Sequence, residues 1–269
     1  MVSYLNAMPV YDAILRHDIQ IPAELEWGTP VELNQKIAQG QLDLSIISSF
    51  EYAKNPERYY LLPDLSISSE GAVGSILLFS KQPWGQIQGD IYLTSHSHTS
   101  IHLAQYLLRA QSVTYHFVER PSDEQLEGEL LIGDEALLAQ KKAQNPNFSN
   151  IFPYVYDLGQ YWQEETGLAF VFAVWVVRRA VFDEIPELVW EITNKLLRSK
   201  EISSPEYERI AKEHYSELFE TTEEALNYLE ALKFHFSEDL KKGLLRFQKV
   251  CMTMGFLDRI APLHFISPL

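Results

Sequence analysis

Five stretches of the chain set small polar side chains against apolar runs of strand length: Asn6, Ser48-Ser49, Ser75, the segment Thr94-Ser-His-Ser-His-Thr-Ser100, and Gly133-Asp134. Four of them follow such a run directly, and Ser75 lies inside one. In a parallel sheet all strand C-termini point to one edge, so side chains that follow several strands converge there. That convergence, more than any single residue, is the chemical signal. The 94–100 segment stands between a strand and a helix, where the free N–H groups of the first helical turn point outward. With the hydroxyls of Thr94, Ser95, Ser97, Thr99 and Ser100 beside them, such groups hold a carboxylate without any formal positive charge. The competing reading is an ordinary helix N-cap with spare serines. Asn6 offers an amide donor and an acceptor together, or serves as a turn residue ahead of a Pro-initiated helix. The Ser75 hydroxyl needs a partner, either backbone or a bound ligand.

Other side chains point less sharply. His96 and His98 alternate and face opposite ways in an extended loop, and His102 follows His98 by one helical turn. No HExxH or CxxC accompanies them, so neither metal nor cofactor is expected. Tyr161 and Trp162, in Asp157 to Gly167 (DLGQYWQEETG), either wall a cleft against a ring or pack in the core. The chain has no GxSxG, P-loop or GxGxxG, so the usual hydrolase, nucleotide and dinucleotide classes lack their marks. Cys251 is the one cysteine, which excludes an intrachain disulfide. It shares a helical face with Leu240, Leu244, Phe247, Val250 and Met254 and reads as a small buried hydrophobe.

The chain of 269 residues has room for one large core or two modest ones. A net charge of −15 argues against nucleic acid or an anionic membrane as partner, since both call for basic faces. The same charge opposes an anionic ligand at long range, so local dipoles must hold one. The longest apolar run, Leu168 to Val177, is about half of what spans a bilayer. The opening MVSYLNAMP has neither a basic n-region nor a long apolar h-region, and a cytoplasmic protein is expected. Composition specifies no oligomeric state.

The elements that must position these residues alternate. Strands are expected at Val2 to Leu5, Glu24 to Trp27 and Asp43 to Ile47. Helices are expected from Pro9 to Arg16 and, behind the capping box Thr29-Pro-Val-Glu32, to about Gln39. A short helix follows Ser48-Ser49. A longer strand covers Ala72 to Ser80, and Pro83, Gly85 and Gly89 mark a break suited to a lobe boundary. The alternation then restarts: strand Ile91 to Leu93, helix Thr99 to Arg109, strand Val113 to Val118, an acidic solvated loop from Glu119 to Glu129, strand Leu130 to Ile132 and helix Asp134 to Lys142. A strand at Ala169 to Val177 precedes helices near 184–199, 204–217, 222–233 and 237–254, the third behind a second capping box at Thr221 to Glu224. Such alternation predicts an α/β protein with parallel sheets and crossover helices. Two α/β units, a break and returning helices predict two lobes, with residues 1–80 and 174–269 in the first and 81–173 in the second. The chain crosses between them near 72–80 and 169–177. This is the two-lobed, periplasmic-binding-protein-like (type II) architecture, whose ligands bind in the inter-lobe cleft.

The motifs, taken in order, resemble a known family. Ser3-Tyr-Leu-Asn-Ala-Met-Pro9 is similar to the SYLN-x-x-P opening of the chorismate dehydratases of the futalosine route to menaquinone. Ile47-Ser-Ser-Phe-Glu-Tyr-Ala53, Gly71 to Ser80 (GAVGSILLFS), Thr94 to Ser100, Leu131-Ile-Gly-Asp134 and Asp157 to Arg178 fit in the same sequence, over about the first two thirds of the chain. The resemblance implies a hydro-lyase that removes water from chorismate to give 3-[(1-carboxyvinyl)oxy]benzoate, on the two-lobed fold. It implies Asn6 and Ser75 as catalytic residues. Ser48, Ser49, Thr94, Ser95, Ser97, Thr99 and Ser100 are then the substrate-binding residues, with Asp134 in the cleft. With no obvious base among them, the substrate's own carboxylate is the expected proton acceptor. Family members carry several residues ahead of the SYLN segment where this sequence has Met1-Val2, so either the first strand is short or the start is not the native one. The alternatives are the sister enzyme 1,4-dihydroxy-6-naphthoate synthase, against which the SYLN opening stands, and a non-catalytic small-anion solute-binding protein.

Overall fold

Two sheets, each covered by helices, organise the computed structural model, which describes residues 1, 4–94, 97–116, 126–143 and 151–268. The first sheet has the order β1 (Leu44–Ser48), β8 (Phe170–Arg178), β2 (Tyr59–Ser69), β9 (Leu232–Lys233). The second has the order β5 (Val113–His116), β4 (Gly89–Leu93), β6 (Gly128–Ile132), β3 (Ile76–Ser80), β7 (Tyr154–Asp157). Helices α1 (Met8–Leu15), α2 (Pro30–Ala38) and α3 (Ser49–Lys54) belong to the first unit, and α4 (His98–Leu107) and α5 (Gly133–Ala143) to the second. After α6 (Leu158–Thr166) and β8 come α7 (Arg179–Glu184), α8 (Pro186–Ser203), α9 (Tyr207–Leu218), α10 (Thr222–Ala231) and α11 (Glu238–Thr253).

The first sheet pairs antiparallel throughout and the second is mixed, which corrects the expectation of parallel ones. β4 runs parallel to β5 and β6, but β3 joins β6 and β7 antiparallel, and β8 runs antiparallel to both β1 and β2. The reason is topological: a strand that arrives from the other sheet enters from the opposite end. β8 therefore wedges between β1 and β2 and splits what would otherwise be a parallel pair joined by α3. The chain leaves the first sheet after Ser69, joins the second at Ile76, and returns between Asp157 and Phe170. β3 thus lies in the second sheet, ahead of the lobe change expected at 80/81. The first residues of β8 lie in the first sheet, ahead of that expected at 173/174. The crossings themselves are the irregular segment 70–75 and α6 with its C-terminal turn, because strands 76–80 and 170–178 are committed to ladders.

Local signals explain most elements. Thr29 Oγ1 accepts from Glu32 N and the Glu32 carboxylate accepts from Thr29 N, so the first capping box is complete. In the second, Thr221 accepts from Glu224 N, whereas the Glu224 carboxylate accepts from Glu220 N. No strand is formed at Glu24 to Trp27 among the described residues; there the Met1 amine donates to Glu26 O, and Gly28 N donates to Met1 O. Leu5, expected in a strand, opens a 3-10 turn through Ala7 that runs straight into α1; Val2 and Ser3 lie outside the described residues. β2 was not expected, since Pro63-Asp64 reads as a turn. The structure absorbs the pair in a bulge, with Asp64 at φ +53 and its carboxylate tied to Phe236 N (3.0 Å) and Lys200 Nζ (2.7 Å). The expected acidic loop at 119–129 lies mostly outside the described residues.

The core spans both units. Trp175 of β8 is fully buried and donates from Nε1 to Tyr11 OH at 3.1 Å, tying the first sheet to α1. Trp162 of α6 is likewise fully buried and donates to Ala169 O at 3.2 Å; it packs edge-on against Phe170 and Phe247. Cys251 is buried on α11, and burial pushes its thiol up to about 12. It is an inert hydrophobe here.

Candidate active site

Between the two sheets lies a small cavity of about 70 Å³, lined by Asn6, Ser48, Ser75, Ser97 and Ser100 together with Tyr4 and Gly133. Ile46, Ile47, Ile67, Ile76, Ile132 and Phe172 supply its apolar walls. Each polar residue arrives from a different end: Asn6 from the turn before α1, Ser48 from the end of β1, and Ser75 from the first crossing. Ser97 and Ser100 come from the start of α4. These five candidates line one cavity, but only Ser48 does so as the end of a strand.

Two serines cap and line at once. Ser97 Oγ accepts from Ser100 N (3.2 Å) and lies 3.1 Å from Ser100 Oγ, so it is the N-cap of α4 as well as cavity wall. Ser48 caps α3 through Glu51 N (3.3 Å) and is clamped by Asn34, whose amide donates to Ser48 Oγ and whose oxygen accepts from Ser48 N. Ser49 and Thr99 do not line the cavity. Their hydroxyls meet each other at 3.3 Å, and Thr99 Oγ1 also accepts from Phe50 N at 3.0 Å. Because Ser49 follows the first sheet and Thr99 follows the second, this contact holds the two units together beside the cavity. Thr94 is buried behind the wall, its N–H on Leu130 O, and Ser95 lies outside the described residues.

The deepest polar group is a pair centred on Ser75, which is 1% exposed. Tyr228 of α10 donates its hydroxyl to Ser75 Oγ at 3.0 Å. Burial drives the Tyr228 phenol far above its ordinary range, so it stays protonated. Asn6 Oδ1 is buried with no hydrogen-bond partner. Sequence reasoning missed Tyr228: it lies 153 residues from Ser75, on a helix where an aromatic reads as core.

The first crossing is held where Ser75 needs it. The Asp157 carboxylate accepts from Val73 N (2.9 Å), Gly74 N (2.6 Å), Gly159 N (2.9 Å) and Gln160 N (3.2 Å), so it caps α6 and pins the segment ahead of Ser75. The two crossings touch: a Cβ on Gly159 would meet Gly71 O at 2.5 Å. Asp134 is at the start of α5, outside the cavity lining, and accepts from Leu5 N at 3.3 Å. Burial pushes its carboxyl up to about 6, only partly offset by that N–H and by His214. Its neighbour Gly133 has φ +55 and meets the Tyr4 ring so closely that a Cβ would sit 2.7 Å from it.

The remaining candidates pack. His102 is sandwiched between Phe50 (ring centroids 4.1 Å apart) and Phe256 (4.3 Å), and burial lowers its pKa to about 4. His98 lies edge-on to Phe50; His96 lies outside the described residues. Tyr161 stacks on Trp84, with ring centroids 3.9 Å apart. A larger cavity of about 550 Å³ opens elsewhere, between Met1, the 21–26 segment, β1 and α8. Its lining is mostly apolar, with Tyr11 and Trp175 among aliphatic residues, and includes Glu24, Glu26 and Asp43, which repel an anion. The small cavity is the one with convergent donors.

Two sheets bridged twice by the chain, one antiparallel and one mixed, with a polar cavity between them, define a periplasmic-binding-protein-like fold. A protein from Archaeoglobus fulgidus matches it with TM-score 0.69 at 15% identity, over 96% of this chain and 97% of that one. The periplasmic aliphatic sulphonate binding protein SsuA of Escherichia coli matches with TM-score 0.64 at 8% identity, over 97% of this chain and 93% of that one. The chain belongs to the menaquinone biosynthesis family, whose model matches residues 1–253. Among its relatives, the chorismate dehydratase of Thermus thermophilus is 32% identical over 194 residues, covering 66% of this chain and 71% of the relative. That of Campylobacter jejuni is 26% identical over 263 residues, covering 94% and 97%. No helix among the described residues is long and apolar enough to cross a membrane.

Proposed function

We propose that this protein is a chorismate dehydratase, a carbon–oxygen hydro-lyase that eliminates water from chorismate to give 3-[(1-carboxyvinyl)oxy]benzoate in menaquinone biosynthesis. The observation that carries this reading, beside membership of the family, is the meeting of Asn6, Ser75 and the capping serines Ser48 and Ser97 in one apolar-walled cavity. Loss of the C4 hydroxyl and the C3 proton makes an aromatic ring, so the product side is strongly downhill. The protein has to orient the substrate and help hydroxide depart, and hydroxyl and amide groups suffice for that. Asn6 and Ser75 are the catalytic residues in this reading. The hydroxyls at the start of α4 take a carboxylate through local dipoles, against the long-range repulsion of a −15 chain. Cytoplasmic chemistry and substrate-assisted proton removal belong to the same reading. In it the C3 proton passes to the substrate's own carboxylate.

At about 70 Å³ the cavity is well below the ~300 Å³ at which ligand pockets begin, so in this reading a substrate has to widen it. Substrate access in this reading opens the Ser49–Thr99 contact while the two crossings act as hinge. Incubating the protein with chorismate and following the aromatic product tests the proposal. Asn6→Ala and Ser75→Ala are each expected to lower kcat by about 10²–10³ with thermal stability retained, as for loss of one preorganised hydrogen-bonding group. Full activity in Asn6→Ala would remove that residue from the mechanism. Tight chorismate binding without turnover by the wild type would instead favour a solute-binding role.

A further inference from the structure

We propose that Asn34, a residue outside the cavity lining, is a positioning residue that decides ligand specificity: it fills the acceptor side of the Ser48 hydroxyl, so that Ser48 meets a ligand only as a donor. Asn34 is 6% exposed in the middle of α2, where Asn is a poor helix former and a buried amide needs partners. Both of its partners belong to Ser48. The Ser48 N–H can only donate, and it ends on Asn34 Oδ1 at 3.2 Å. That bond settles which end of the amide is oxygen, so the NH2 is the end that reaches Ser48 Oγ, at 3.3 Å. The same Oγ accepts from Glu51 N at 3.3 Å. A hydroxyl oxygen has two acceptor positions, and here both are taken. What Ser48 keeps is its proton, which no side chain or carbonyl among the described residues accepts, and Ser48 lines the cavity. Ser97 and Ser100 differ: their hydroxyls face each other at 3.1 Å and either can donate, so nothing outside the pair fixes their polarity.

A hydroxyl held as a donor selects what it meets. A carboxylate oxygen gains a charge-assisted hydrogen bond from it, whereas an ammonium has nothing to donate to. No Lys or Arg lines the cavity, so a fixed hydroxyl proton is what a chain of net charge −15 can offer an anion there. In the dehydratase reading, on which this step rests, Ser48 holds one of the two carboxylates of chorismate. Asn34 acts through Ser48 and touches no ligand.

Asn34→Asp keeps the shape and reverses the demand, because a carboxylate only accepts and so takes the Ser48 proton along with the Ser48 N–H. By calorimetric titration, the Kd of 3-[(1-carboxyvinyl)oxy]benzoate is expected to rise at least about tenfold, as for loss of one charge-assisted hydrogen bond. The kcat on chorismate is expected to change less than threefold, since a carboxylate held alike in substrate and transition state contributes to binding and not to the chemical step. In a Ser48→Ala background the same change adds the charge but finds no hydroxyl proton to capture, so its effect on Kd is expected to be at least threefold smaller. Equal effects in the two backgrounds, or an unchanged Kd in the single variant, would overturn the proposal. If the variants fold poorly, a crystal structure of the wild type with the same compound decides. Ser48 Oγ is expected within about 3 Å of a carboxylate oxygen, and a Ser48 Oγ with no ligand oxygen in reach overturns the assignment. Should the wild type bind chorismate without turning it over, the titrations are run with chorismate itself. A Kd pattern as expected there would sink the dehydratase reading while sparing Asn34.

Discussion

Asp134 accepts a backbone N–H from Leu5, the residue beside Asn6, and burial holds its carboxyl up at about 6 against an ordinary 3.8. Between those two values the folded protein binds more protons than the unfolded chain. Its contribution to stability is therefore complete below about pH 4 and is lost as pH rises through about 6. Asp134→Asn keeps an acceptor for Leu5 N but cannot ionise. The melting temperature of the variant, relative to the wild type, is expected to rise from pH 4 to pH 7. A constant offset across that range would mean that Asp134 ionises as freely as an exposed carboxylate. At this scale the site was legible where function follows from local position. Ser48 and Ser97 announce themselves as caps after apolar runs, and Asn6 and Ser75 as polar residues where little else is polar. Tyr228 was not legible, because its role depends on a contact 153 residues long that no local pattern encodes. Nor could spacing show that Ser49 and Thr99 hold each other and leave the cavity lining to their neighbours.

Among the elements, the two crossings carry the site, and Asp157 is what they share. Four backbone N–H groups end on its carboxylate, from 73 and 74 on one crossing and from 159 and 160 on the other. Asp157→Ala leaves them without that acceptor in a mostly buried place. A loss of roughly 2–4 kcal/mol in unfolding free energy is expected in urea titration. A loss below about 0.5 kcal/mol would show that water replaces the carboxylate there. The position was visible in the sequence only as the start of an aromatic, polar stretch. Helix boundaries were legible because caps are local chemistry, as at Thr29 and Ser237. Strand direction was not. Alternation of strands and helices implies parallel pairing only while the chain stays in one sheet, and β3 and β8 do not. β2 escaped for another reason: Pro63-Asp64 has the composition of a turn, and the bulge that accommodates it depends on Phe236 and Lys200 far along the chain.

For the whole molecule, the proposed dehydratase function requires the two units to part so that the cavity of about 70 Å³ can admit chorismate. The Ser49–Thr99 contact is the natural place to lock them. Replacing both by cysteine (S49C/T99C) leaves native Cys251 buried. Oxidation of this variant is expected to reduce turnover at least tenfold relative to the same variant reduced, with recovery on adding a reductant. Equal rates in both states would show that access does not pass between these helices. The most direct test of the central claim is simpler. Purified protein is incubated with chorismate, and substrate and product are quantified by liquid chromatography and mass spectrometry over time. The account predicts stoichiometric conversion to 3-[(1-carboxyvinyl)oxy]benzoate with loss of one water, abolished or greatly slowed in Asn6→Ala and Ser75→Ala. Chorismate recovered intact from a folded, binding-competent protein would contradict it.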